Sequence, residues 1–309
     1  MKIESAVEGY WLARKRELSP NTVSDYALTF RRLVAFLSER QEFEAITTHQ
    51  VRLFLNYLQM EFSLGPKSMM NAWIALSSLW TWAAGELKLE HVISGKIERP
   101  RWRRPPIEPY TMTEVQAMLE AASLTRAWRT KTGRTVRTQR PTALRDRAII
   151  FTLVDAGIRA SELCDLRVED YDREKGKLFV RKGKGNKGRF AYVGATARLA
   201  IWKYLASRKE LTAKQPLFAT ANMTHLGRSE LRHMVQGCAA RAGLKGATVH
   251  RFRHTFAITF LRNKGNVLEL KELLGHEKME TIQIYAKLAQ IDLQTAQSYA
   301  SPADNWDLR

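Results

Sequence analysis

The chain has 309 residues, 45% hydrophobic and 26% charged, a balance that supports buried cores and excludes a wholly disordered protein. Fifty Lys and Arg against 31 Asp and Glu leave a formal charge of +19, which favours a polyanionic partner with salt-sensitive affinity, nucleic acid foremost. An anionic membrane would attract the same charge, but no apolar run approaches the roughly eighteen residues of a span. Met1-Lys2-Ile3-Glu4-Ser5 has no signal-peptide core, so a cytoplasmic protein without a membrane partner is expected.

Ser19-Pro20-Asn21-Thr22 reads as an N-cap with proline at the first helical position, and Tyr26, Phe30, Leu33, Val34 and Leu37 follow at helical spacing. A second helix is expected from Thr48 through Val51, Phe54, Leu55 and Leu58, and a third from Ser68 through Trp73, Leu76, Leu79, Trp80 and Ala83. The tryptophans recur at helical periods and are read as core. Residues 1–98 thus form a small helical domain.

The prolines between Gly95 and Pro106 oppose regular structure, and Arg99, Arg101, Arg103 and Arg104 are too dense to bury, so 99–110 is a basic linker. Thr111-x-x-Glu114 matches a capping box that opens the second domain, 111–309, with Val115, Met118, Leu119 and Ala122 as an apolar face. From Thr125 to Arg140 six basic residues stand without an acidic one, which predicts a charged loop or excursion.

Arg145 to Val154 resumes an apolar helix ending at Asp155-Ala156-Gly157. Lys177–Arg181 and Arg189–Val193 read as two strands around a glycine-rich turn. The remainder is mostly helical, so the class is mainly α with a small antiparallel sheet. Cys164 and Cys238 lack metal-type spacing and read as reduced, buried thiols; no metal site is expected.

Five short motifs then follow in one order. Arg159 lies in Gly157-Ile158-Arg159-Ala160-Ser161-Glu162-Leu163, a tight turn in which Ser161 is a fair N-cap for a helix from Glu162. Lys184 lies in Gly183-Lys184-Gly185-Asn186-Lys187, whose glycines let a backbone approach a DNA strand. His250-x-x-Arg253 places two side chains on one helix face. Gly275 ends a helix, with His276 emerging beyond it, and Tyr285 comes nine residues later. Ile282 and Ile284 are expected to anchor a mobile segment and leave the Tyr285 phenol free.

Cleaving a phosphodiester with a side-chain oxygen requires neutralising a pentacoordinate phosphorus, which guanidinium forks do well, so Arg159 and Arg253 form the natural pair. A phenol with a reference pKa near 10 needs nearby cations or a base, and a neutral His250 can serve as that base.

At these motifs the chain resembles the tyrosine recombinases, the phage integrase and Xer family, over about the last two thirds of its length. The resemblance implies a helical core-binding domain and an α+β catalytic domain clamped around double-stranded DNA. It implies attack by Tyr285 to give a 3′-phosphotyrosine and a free 5′-hydroxyl, with Arg159, Arg253 and His276 holding the phosphate, Lys184 as general acid and His250 as general base. Bond energy is conserved, so neither cofactor, ATP nor metal is required. Arg101, Arg103, Arg104, Lys182, Lys187, Arg189 and Arg251 are expected at DNA phosphates. A homotetramer on paired sites is also implied, with room for accessory proteins, and 125–140 looks like an insertion relative to the family pattern. A type IB topoisomerase or a non-catalytic DNA-binding regulator are the alternatives, and Tyr192 and Tyr299 are the rival nucleophiles.

Overall fold

In the computed structural model the Ser19 hydroxyl accepts a hydrogen bond from the Thr22 N–H, and α2 runs over Pro20–Phe36. Residues 1–37, 41–103, 105–125, 128–129, 132, 134–181, 188–275, 279–289, 297 and 301–306 are described, and the chain divides into two units, Met1–Pro105 and Pro106–Arg309.

The first unit is helical. α1 spans Ile3–Arg14, α3 spans Thr48–Glu61 and α4 spans Pro66–Glu86. A capping box at Thr47 and Gln50 starts α3. Trp80 stacks on Phe43 with ring centroids 5.1 Å apart, and Trp73 and Trp82 pack against the same apolar core. α1 has no counterpart in the helices read from sequence; its burying positions, Ile3, Ala6 and Tyr10, carry the helical spacing.

In the second unit α5 covers Met112–Ser123 behind the Thr111 and Glu114 capping box. The stretch from Thr125 to Arg140 is more than a loop. β1 (Trp128–Arg129) pairs antiparallel with β2 (Thr135–Val136), and Leu124 and Gln139 bridge the base. α6 follows over Ala143–Ala156, its buried face built from Ala148, Ile149, Ile150, Thr152 and Leu153. α7 is a short turn of helix, Ala160–Asp165.

A three-stranded antiparallel sheet comes next, with one strand more than the sequence indicated. β3 (Tyr171–Asp172) pairs with β4 (Lys177–Val180), which pairs with β5 (Arg189–Tyr192) in the register Lys177 to Tyr192 and Val180 to Arg189. Leu178, Val180 and Ala191 face the core while Phe179, Phe190 and Tyr192 face outward. Helices α8 (Ala195–Ala206), α9 (Arg228–Arg241), α10 (Val249–Arg262), α11 (Val267–Leu274) and α12 (Met279–Ala289) complete the unit.

Two apolar clusters hold this unit. The larger gathers α5, α6, the sheet, α8 and α9. A smaller one joins α10, α11 and α12 through Ala257, Ile258, Leu261, Leu270, Leu274, Ile282, Tyr285 and Ala289. Cys164 and Cys238 are buried, and that burial pushes both thiols up to about 12, so neither is a ready thiolate. No helix among the described residues is long and apolar enough to cross a membrane.

Candidate active site

Arg159 does not precede a helix capped at Ser161. It is itself the N-cap residue of α7, in extended backbone, because its N–H donates to Glu162 Oε2 at 2.8 Å and closes the first turn at Ala160. Gly157, at φ 56° and ψ 21°, ends α6 in the left-handed region and turns the chain toward Arg159. A Cβ there would sit 2.3 Å from the Phe256 ring, so Gly157→Ala combines a disfavoured backbone with a collision. The expected cost is about 2–4 kcal/mol, with partial loss of function through the displaced turn, checked by thermal denaturation of the variant.

Glu162 organises the cations. Its carboxylate is buried and accepts from Arg159 Nη1 at 2.7 Å and from Arg189 Nη1 and Nη2 at 2.9 and 2.8 Å. Burial would raise its carboxyl, but the hydrogen bonds and charge of Arg189, joined by those of Arg159, prevail and hold it at about 2. Arg189 is therefore committed to an internal ion pair at both ends of its fork, and its side chain is 11% exposed.

Arg253 lies one helical turn from exposed His250 on α10 and is itself 1% exposed. Nη1 donates to the Gly157 carbonyl and Nη2 to the Leu274 carbonyl, both at 2.7 Å, tying the end of α6 to the end of α11. Burial first, then the positive charges of Arg159 and Arg189, lower its pKa to about 10, partly offset by Glu162 and Tyr285.

The C-terminal end of α11 receives all three guanidinium groups. Leu273 O accepts from Arg189 Nε at 3.0 Å, Leu274 O from Arg253, and Gly275 O from Arg159 Nη2 at 3.4 Å. These carbonyls form the negative end of the helix, which favours cations there. Gly275, at φ 61°, supplies the left-handed cap that ends it.

Tyr285 is not on a free segment. It sits within α12, 2% exposed, in the cluster formed with Ile258, Leu270 and Ile282, so the expected free phenol is corrected. Apolar positions 282, 285 and 289 at helical spacing turn its ring inward. Its hydroxyl is 2.9 Å from His254 Nδ1. The His254 ring in turn meets the His250 ring edge to face at 4.4 Å. The sequence reading passed over His254, whose signal was its place four residues after His250 on the same helix face.

Lys182, Lys184 and Lys187, together with His276, Arg104 and Tyr299, lie outside the described residues. Arg101 is 91% exposed and pairs with Glu98, and Arg103 is exposed. Arg251 is bound internally. Its guanidinium stacks over Tyr110 at 4.2 Å and donates to Glu108 O, Pro109 O and the Glu114 carboxylate, while the Tyr110 hydroxyl bonds Thr248 at the start of α10. The structure thus brings Arg159, Arg253 and Tyr285 together, puts His254 in contact with the phenol, and gives Arg189 and Arg251 positioning contacts. Tyr192 lies on β5 and is 49% exposed.

Residues 114–291 match the model of the phage integrase family, and residues 12–88 match the phage integrase N-terminal SAM-like domain. Tyrosine recombinase XerD of Mycobacterium tuberculosis (strain ATCC 25618 / H37Rv) is 30% identical over 312 residues, covering 96% of this chain and 97% of that protein. XerD of Mycobacterium leprae (strain TN) is 28% identical over 97% of this chain and 98% of its own length. Among solved structures, the Tn1549 transposon integrase in complex with a circular intermediate DNA superposes with a TM-score of 0.72 at 16% identity, over 97% of this chain and 98% of that one. A lambda integrase dimer bound to a COC′ core site gives 0.69 at 17% identity, over 90% and 96%.

Proposed function

The chain belongs to the phage integrase family and is a site-specific tyrosine recombinase, and we propose that it cuts and rejoins duplex DNA through a phosphotyrosine bond on Tyr285. The observation that carries this reading is a tyrosine packed on α10 and bonded to His254, the neighbour in sequence of Arg253, whose guanidinium meets that of Arg159 at the carbonyls ending α11. In the proposed step Tyr285 Oη bonds the scissile phosphorus as the P–O5′ bond breaks, leaving a 3′-phosphotyrosine. The arginine pair neutralises charge developing on the non-bridging oxygens, and a second DNA end reverses the attack.

Arg159, Arg253 and His276 are assigned to the phosphate, Lys184 to protonating the departing 5′-oxygen, and His250 to general-base work. Residues 1–98 and 111–309 are assigned as core-binding and catalytic domains joined by the basic linker 99–110. Arg101, Arg103, Arg104, Lys182 and Lys187 are assigned to DNA backbone contacts, and the working form to a homotetramer on two paired sites. No metal or nucleotide enters the step, since the energy of the broken bond is stored in the new one.

The test is to incubate the protein with a pool of nicked random-sequence duplexes, denature in detergent, and digest the recovered covalent complexes. A nucleotide-bearing peptide that contains Tyr285 supports the assignment, and one that contains Tyr192 or Tyr299 refutes it. Sequencing the attached DNA gives the preferred site. Supercoil relaxation without exchange between two such sites would instead identify a topoisomerase-like activity.

A further inference from the structure

The buried nucleophile touches a histidine that the six-residue assignment does not use. His254 Nδ1 lies 2.9 Å from Tyr285 Oη, with ring centroids 5.6 Å apart. His254 is half-buried, and its ring leans on the exposed His250. The three rings therefore make successive contacts from a buried phenol to an exposed imidazole.

We infer that His254, rather than His250 alone, receives the phenol proton as Tyr285 attacks, an inference that rests on the reading of Tyr285 as the nucleophile. A neutral imidazole whose Nε2 carries the hydrogen presents a lone pair at Nδ1, so the phenol donates to it. In the ground state the proton stays on oxygen, because a phenol is a weaker acid than an imidazolium. As the Oη–P bond forms, the oxygen loses basicity, the O–H bond breaks toward Nδ1, and an imidazolium results. The proton that reaches the departing 5′-oxygen comes from a separate acid, so proton and electron counts close. His250, exposed and in contact with the His254 ring, offers a route by which that proton returns to water.

The anchor of α10 supports this role. Tyr110 accepts from the Thr248 N–H at the helix start, Arg251 in the first turn reaches back to Glu108, and the Thr248 side chain caps the turn, so the backbone that carries His254 is held in place. A ring held in this way needs little reorganisation on proton transfer.

The substitution that separates placement from proton transfer is His254→Asn, because the Asn side-chain oxygen falls where Nδ1 was and accepts the same hydrogen bond without holding a proton. Single-turnover adduct formation on a nicked duplex recovered from the random pool is expected to slow by roughly 10²-fold or more, with DNA binding kept within about threefold. Added imidazole is expected to accelerate His254→Gly by about tenfold or more in a concentration-dependent way, and to leave His254→Asn unmoved. If His254→Gly fails to fold, His254→Ala serves the same comparison. His254→Asn reacting within about threefold of the unmodified protein, or a folded glycine or alanine variant deaf to imidazole, overturns the inference. Adduct that persists in Tyr285→Phe sinks the nucleophile assignment instead, and no adduct from the unmodified protein removes both.

Discussion

Tyr285→Phe is expected to fold, bind DNA and form no covalent adduct. Phenylalanine keeps the ring that packs with Ile258, Leu270 and Ile282, so the α10–α11–α12 cluster survives. The loss includes the hydrogen bond to His254, worth about 1 kcal/mol. The chemistry has no such substitute, because phenylalanine carries no oxygen to attack phosphorus. Detergent-stable adduct is expected to fall by roughly 10⁴-fold or more, to the limit of detection, while retention of duplex DNA in a gel-shift experiment changes little. Adduct that survived Tyr285→Phe and vanished in Tyr299→Phe would move the nucleophile fourteen residues (299 minus 285) down the chain.

Glu162→Gln is expected to have the largest effect on stability and to damage the site as well. The carboxylate balances Arg159 and Arg189 with its side chain 3% exposed, beside a third cation, Arg253, that burial already penalises. An amide supplies one acceptor oxygen and turns an NH2 group toward arginine donors. Leaving buried charge uncompensated costs about 3–5 kcal/mol. For a unit of this size that corresponds to a melting temperature lower by roughly 6–20 °C. Adduct formation is expected to drop together with stability, since Arg159 loses the contact that aims it.

The acid dependence follows from the same group. The Glu162 carboxyl is held at about 2 in the folded chain against an ordinary value of 4.5, a depressed pKa. Its contribution is thus present above about pH 4.5 and is lost as the pH falls toward 2, on the order of 3 kcal/mol in all. Between those limits the unmodified protein is expected to lose stability more steeply than Glu162→Gln, measured by denaturant unfolding at several pH values. Parallel slopes would show that the carboxylate does not carry the difference.

Much of the scaffold was legible because its signals are local. The caps at Ser19 and Thr111 and the apolar spacing of Phe54, Leu55 and Leu58 each act within one or two turns, so helices were placed close to where they lie. The β1–β2 hairpin escaped because its strands are two residues each and composition there is dominated by arginine. Ser161 misled as a cap because Glu162 caps the turn from inside, through a backbone N–H that no cap-residue preference reports. The buried state of Tyr285 and its contact with His254 depend on packing of α12 across 31 residues of sequence, which no short motif encodes. For the same reason the pairing of Arg189 with Glu162, 27 residues away, has no local signal.

The arginine cap on α11 gives the site a mechanical unit. Three cations from three different segments share one eight-residue helix end, through the carbonyls of Leu273, Leu274 and Gly275. Close-packed elements shift as bodies rather than by parts. A small rotation of α11 would therefore change the aim of Arg159, Arg189 and Arg253 together, like one lever working three contacts.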